Sequence, residues 1–132
     1  MQMTFLQPWA PQLRSVLRIL AAATFLTHGT MKLFGWPAEM GFPLTTLMYV
    51  AGLLEVVGGA LLVIGLFSRP VAFVLSGLMA FAYFMAHASG GFFPALNGGE
   101  AAVLFCFVFL YIAAAGPGPW SVDEAMARRG RA

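Results

Sequence analysis

A single carboxylate inside an apolar run constrains the fold of this chain more than any other residue. The run extends from Leu44 to Phe67, and Glu55 is the only charged side chain within it. At about 1.5 Å per residue, a helix over this run crosses the ~30 Å hydrocarbon core of a bilayer, with Glu55 near the midplane. A charge at that depth costs roughly 2.5–3.5 kcal/mol. Glu55 is therefore expected to face the protein interior, where it has a partner or is protonated.

The residues around Glu55 predict close packing against another helix. Three glycines lie within one turn of it, at positions Gly52, Gly58 and Gly59. Their missing side chains allow a second helix to approach the carboxyl. Lys32 is the leading candidate partner and His28 the next, although the depth of Lys32 predicts a gap that water or Glu100 would bridge. A protonated Glu55 bonded to a backbone carbonyl is the alternative.

The composition indicates a membrane protein. Of the 132 residues, 61% are hydrophobic and only 9% are charged, with a mean hydropathy of +0.86. Soluble domains carry about 25% charged residues. The length suits one domain over residues 1–132. Cys106 is the only cysteine, which excludes an internal disulfide or a CxxC motif.

The hydrophobic pattern predicts an all-α membrane protein, a bundle of four transmembrane helices. The predicted spans are residues 15–34, 44–67, 71–89 and 100–115, followed by a tail over residues 116–132. Asn97 and Glu100 have the spacing of an N-cap and an N3 acid at the start of the fourth span. Ser121 and Glu124 repeat that spacing and predict a short surface helix in the tail.

The distribution of basic residues predicts the orientation. With four spans, the N-terminus, the second turn and the tail share one side of the membrane, and that side holds six of the seven basic residues. The six are Arg14, Arg18, Arg69, Arg128, Arg129 and Arg131, against Lys32 alone on the other side. The positive-inside rule then places both termini in the cytoplasm, as expected for a multi-pass protein of a bacterial inner membrane. Arg14, Arg18 and Arg69 are assigned to orientation and to contact with lipid head groups.

Polar side chains of all four spans are predicted to converge in the outer half of the bundle. They are His28, Lys32, Glu55, Tyr83, His87, Asn97 and Glu100. Structural interpretations stand beside this one, because Lys32 is long enough to extend to the interface and each histidine needs only one hydrogen bond. No HxxxH or ExxH spacing is present, so a metal site is not predicted.

Four stretches of the chain resemble the DoxX family of membrane proteins, from Arg18 to Asp123. They are RILAAATFLTHGTMKLFG, GLLEVVGGALLVIGLFSRP, FFPALNGGEAAVLFCF and AAAGPGPWSVD. The positions that match the family pattern are Arg18, Gly29, Lys32, Gly35, Glu55, Gly58, Gly59, Gly65, Arg69, Asn97, Gly98, Glu100, Gly116, Gly118, Ser121 and Asp123. The resemblance implies a four-helix inner-membrane protein, similar to small subunits found with quinone-linked oxidoreductases, including thiosulfate-oxidising ones. It assigns catalysis to no particular residue.

Three functions are compatible with these features. The first is an accessory subunit of a membrane redox or respiratory assembly, with other membrane proteins or further copies of the chain as partners. The second is a free-standing oxidoreductase component that binds a quinone or another lipophilic substrate through the polar cluster. The third is a small proton-coupled transporter, although one chain of four spans lacks inverted halves. No motif for covalent haem attachment is present, and topology accounts for the basic residues without nucleic-acid binding.

The predicted topology can be tested by cysteine accessibility. Tags at both termini are expected in the cytoplasm, and the loop over residues 90–99 is expected outside. A cysteine introduced at Ala95 should react with a membrane-impermeant thiol reagent added from outside the cell. Reaction from the cytoplasm alone would exclude the four-span topology.

Overall fold

Helices form every regular element of the described chain. The computed structural model describes residues 2–132. Its α-helices are α1 (Ala10–Phe34), α2 (Thr46–Ile64), α3 (Ser68–Ala86), α4 (Pro94–Asn97), α5 (Glu100–Ala115) and α6 (Val122–Arg131). Two short 3-10 segments, Thr4–Trp9 and Ala88–Gly90, precede α1 and follow α3.

The four longest helices pack as two antiparallel pairs. Helix α1 packs mainly on α2, α3 packs mainly on α5, and smaller contacts join α2 to α3 and α1 to α5. One end of the bundle contains the start of α1, the α2–α3 turn and the end of α5, and we call it the termini end. The opposite end contains the connections over residues 35–45 and 87–99, and we call it the loop end. A core of aromatic rings lies between the pairs, with the rings of Phe25 and Phe109 4.9 Å apart.

Glycines bring α1 and α2 into backbone contact, as the spacing around Glu55 predicted. A Cβ added to Gly29 would lie 2.8 Å from the carbonyl oxygen of Gly52 and 2.8 Å from the Cβ of Glu55. On the other side of α2, the side chain of Leu75 from α3 fills the space beside Gly58. Helix α2 therefore presents its carboxylate on a surface that two neighbouring helices cover closely.

Helix α1 begins at Ala10, five residues before the predicted start, and the other differences from the predicted spans are of two or three residues, including both sides of the α2–α3 turn. Helix α2 ends at Ile64 rather than at residue 67 because Gly65 adopts a left-handed conformation, with φ of 74°. Helix α3 begins at Ser68 rather than at residue 71 because Asp123 caps its first turn. The two carboxylate oxygens of Asp123 accept hydrogen bonds of 2.8 Å from the amides of Phe67 and Ser68. The tail thus stabilises the α2–α3 turn through Asp123. Helix α5 has the bounds predicted for the fourth span.

Arg18 does not contact lipid head groups, and this part of the sequence prediction is wrong. Its side chain is only 1% exposed and donates hydrogen bonds to backbone carbonyls at the termini end. The acceptors are Leu62 (2.8 Å), Val63 (3.5 Å), Trp120 (2.7 Å) and Pro117. The carbonyls at the end of α2 have no partner within their helix, so the buried guanidinium satisfies them and fixes α1, α2 and the tail together.

The two predicted capping boxes have different outcomes. The Oγ of Ser121 accepts a hydrogen bond from the amide of Glu124 at 3.1 Å, which confirms the predicted start of α6. Asn97 is not the N-cap of α5, because α5 begins at Glu100 and Gly99 occupies the cap position. Asn97 is instead the last residue of α4, and its Oδ1 accepts from the amide of Gly99 at 2.8 Å.

The outer surface of the bundle is apolar. Helices α2 and α3 are long and apolar enough to cross a membrane, and α5 is a shorter apolar helix. Large side chains point outward on each long helix, such as Leu20, Leu53, Phe73 and Phe107, which are 56–65% exposed. Soluble monomers rarely expose continuous apolar patches of this kind. The exposed apolar surface therefore agrees with a lipid environment.

The close contact between α1 and α2 predicts that a larger residue in place of Gly29 destabilises the protein. We expect Gly29→Ala to destabilise the protein by about 1–3 kcal/mol, because the new methyl group overlaps backbone as well as side-chain atoms of α2. The measurement is the apparent melting temperature of the detergent-purified protein. Gly77→Ala is the matched control, since a Cβ at this helical position has no atom within 4 Å. Equal melting temperatures for the two variants would contradict the close approach.

Candidate functional site

Glu55 and Lys32 form a buried ion pair between α2 and α1, which confirms the leading candidate for the partner of Glu55. The Nζ of Lys32 lies 2.6 Å from Oε1 and 2.8 Å from Oε2 of Glu55. The side chain of Glu55 is 3% exposed and that of Lys32 is 16% exposed. The Cβ of Lys32 packs beside Gly52, one turn nearer the loop end, so its stem extends inward along the glycine surface. No bridging group is needed.

The ion pair forms one wall of an apolar cavity at the loop end. The cavity has a volume of about 540 Å³, within the range of small-molecule sites. Its walls come from α1, α2, α3, the start of α5 and the connections over residues 35–45 and 87–99. Apolar side chains dominate them, including Phe25, Met40, Phe42, Leu47, Met48, Leu54, Met79, Met85 and Phe105. An ion pair in such surroundings interacts strongly with any polar group placed beside it.

Both histidines line the same cavity and have different surroundings. The rings of His28 and Phe105 are nearly perpendicular, with centroids 5.9 Å apart. The Nδ1 of His87 lies 3.3 Å from the carbonyl oxygen of Asn97. Because a carbonyl can only accept, Nδ1 of His87 carries the proton, and the Nε2 of a neutral ring is then an acceptor. The cavity therefore combines one cationic donor, one carboxylate and two imidazoles.

Tyr83 and Asn97 support the cavity without lining it. The amide Nδ2 of Asn97 donates to the Tyr83 hydroxyl at 3.0 Å and to the Gly91 carbonyl at 2.9 Å. These bonds tie the 87–99 connection to α3 and thereby position His87. Glu100 is exposed and does not line the cavity, so the structure does not bring it into the predicted cluster. As the first residue of α5, it lies at the positive end of the helix dipole.

Sequence reasoning did not identify the apolar walls of the cavity. Met40 and Phe42 come from the connection between α1 and α2, which was treated only as a link between two spans. Their apolar character between two prolines is the signal that indicates a segment folded onto the bundle. Within residues 2–132, the histidines, cysteine and carboxylates form no group of three or more that could hold a metal ion.

The buried ion pair makes a prediction about stability. We expect Glu55→Gln to destabilise the protein on the order of 3 kcal/mol, because Lys32 then lacks a compensating charge. Lys32→Met should have a similar effect, and the double variant should recover part of the loss because no unpaired charge remains. The measurement is a double-mutant cycle on unfolding in detergent.

Glu39→Gln is the control for this cycle, since Glu39 lies in the exposed part of the 35–45 connection. Unchanged stability in Glu55→Gln would indicate that Glu55 acts as a neutral acid rather than as the partner of a cation.

Comparison with known proteins identifies the family. The sequence model of DoxX matches residues 13–88, which is more than half of the chain. An uncharacterised protein of Haemophilus influenzae is 41% identical over 129 residues, which cover 92% of this chain and 96% of the relative. No solved structure matches the chain significantly. The helices, the Lys32–Glu55 pair and the apolar surface described above are thus those of a membrane protein, and the chain belongs to the DoxX family.

Proposed function

We propose that this protein is a small subunit of a quinone-linked redox assembly in the bacterial inner membrane. In this proposal the cavity at the loop end receives the polar head of a quinone or of another lipophilic molecule. The single observation that carries the proposal is the cavity itself, in which a buried ion pair lies within apolar walls. Ligand sites commonly combine a mainly apolar lining with a few placed polar groups.

The polar groups of the cavity fit a quinone ring. A quinone presents two carbonyl oxygens, which need hydrogen-bond donors, and Lys32 offers a charged one. Two of the three ammonium hydrogens of Lys32 are directed to Glu55, which leaves one for a ligand. The imidazoles of His28 and His87 line the same cavity and offer further hydrogen-bonding nitrogens. A bound quinone would supply reversible two-electron, two-proton chemistry, and these side chains would bind and orient its carbonyl oxygens.

The fold also supports the proposed topology. The start of α1, the α2–α3 turn and the tail meet at the termini end, where Arg18 joins all three. Under the four-span topology this end is cytoplasmic and contains six of the seven basic residues. The cavity at the loop end then opens in the outer half of the membrane. The proposed role as a subunit rests on the family resemblance. The described residues contain no recognised catalytic motif.

The proposal predicts that blocking the cavity prevents binding while the fold is retained. Ala51 of α2 lines the cavity, and Ala51→Phe should weaken the binding of decylubiquinone at least about tenfold by occupying the space of the ligand. The measurement is isothermal titration calorimetry of the protein purified in a mild detergent. The same preparation is analysed by mass spectrometry for quinone and for co-isolated redox proteins, both of which we expect in the wild type.

Ala60→Phe is the matched control. Ala60 lies on the same helix, is exposed and is outside the cavity, so this variant should bind like the wild type. Equal affinity in both variants would place any binding outside the cavity. Absence of quinone and of redox proteins from the wild-type preparation would contradict the proposed assembly.

A further inference from the structure

A second concave site lies at the termini end, on the opposite side of the bundle from the quinone cavity. Its volume is about 280 Å³. It is lined by Arg14 of α1, Arg69 of α3, Glu124 of α6 and the turn over residues 115–119 that follows α5. The proposed function uses none of these residues.

Arg14 contributes a positive charge that forms no ion pair within residues 2–132. Its Nε is shielded from solvent and has no hydrogen-bond partner among residues 2–132. The two ion pairs among residues 2–132, Lys32–Glu55 and Arg128–Glu124, do not include it. Arg14 is partly exposed and lines the site, so its unpaired charge favours an anionic ligand there.

Arg69 provides a second guanidinium that is held in place. Its Nη1 donates to the carbonyls of Ala113 and Ala114, which are free because α5 ends there. Its Nη2 lies 3.0 Å from the position that a Cβ on Gly116 would occupy, so the turn packs directly on the guanidinium. Fixed in this way, Arg69 loses little freedom when its remaining donors bind a ligand.

The other charged groups near the site do not cancel these two cations. The carboxylate of Glu124 already accepts a hydrogen bond from Nε of Arg128 at 3.3 Å. The guanidinium of Arg18, on the far side of the turn, bonds only to backbone carbonyls. Asp123 accepts hydrogen bonds from the amides of Phe67 and Ser68 and does not line the site. Two arginines and the paired carboxylate of Glu124 therefore leave the lining with a net positive charge.

We propose that Arg14 and Arg69 bind a phosphate group at the termini end. Planar guanidinium groups match the oxygens of a phosphate in pairs, which a chloride or a single carbonyl cannot reproduce. Under the four-span topology the site lies at the depth of the lipid head groups, so an anionic phospholipid and a free phosphate compound are the two sources of this chemistry. A phospholipid in this site would be the head-group contact predicted for Arg14 and Arg69, whereas the buried Arg18 bonds to backbone carbonyls.

Arg14→Gln is the decisive variant, because the Nε of Arg14 has no partner whose loss would unfold the protein. One arm measures bound phosphatidylglycerol and phosphatidylcholine by native mass spectrometry of detergent-purified protein. We expect phosphatidylglycerol to bind the wild type in preference and Arg14→Gln to bind it about tenfold more weakly. The other arm measures the rise in melting temperature of delipidated protein on addition of inorganic phosphate.

Arg129→Gln is the control, since Arg129 lies at the same end on the exposed surface of α6 and does not line the site. Loss of phosphatidylglycerol binding in Arg14→Gln alone assigns the site to a phospholipid. An Arg14-dependent response to inorganic phosphate without a lipid response assigns it to a free phosphate compound. If Arg14→Gln and Arg129→Gln behave alike in both arms, the proposal is wrong. Retention of the wild-type melting temperature in Arg14→Gln without phosphate shows that the variant is folded.

Discussion

The pairing of Glu55 with Lys32 is the interaction on which the arrangement of the helices depends. A carboxylate in the middle of α2 is unfavourable in an apolar environment unless a cation lies at the same depth. Lys32 can reach that depth only because Gly52 lets its stem pass along the surface of α2. The ion pair therefore depends on the glycines. They allow α1 and α2 to approach closely enough for the two charged groups to lie 2.6 Å apart.

Helix α1 is attached to α2 at two levels by cations on the same helix face. Arg18 and Lys32 are separated by about four helical turns, so both side chains point toward α2. Lys32 neutralises a charge at the loop end, whereas Arg18 satisfies the free carbonyls of Leu62 and Val63 near the end of α2. Between them, Gly29 and Gly59 keep the helices close. Sliding or rotation of α1 against α2 would break both attachments, which fixes their register.

The pattern of apolar runs and glycines was enough to predict the four longest helices, their order and the leading candidate for the partner of Glu55. Each of these depends on local spacing or on the high cost of an isolated charge, and both are visible in a sequence. The role of Arg18 was not predictable in this way, because its acceptors are backbone carbonyls, which every residue has. The same limit applies to Asp123, whose effect on the α2–α3 turn arises more than fifty residues from that turn. The cavity depends on the fold of the 35–45 connection, which has no periodic pattern.

Because the ion pair belongs to both the helix packing and the cavity wall, a ligand in the cavity would affect the stability of the bundle. The pair holds α1 to α2 and is also the strongest polar feature of the cavity wall. A ligand that binds beside it interacts with the folded arrangement only, so binding stabilises the fold by RT ln(1 + [L]/Kd). Conversely, a change to either charged residue alters the packing of two helices as well as the binding surface. Effects of such changes on ligand affinity therefore include a contribution from the fold, whereas changes to exposed wall residues such as Phe42 and Leu47 disturb the core less.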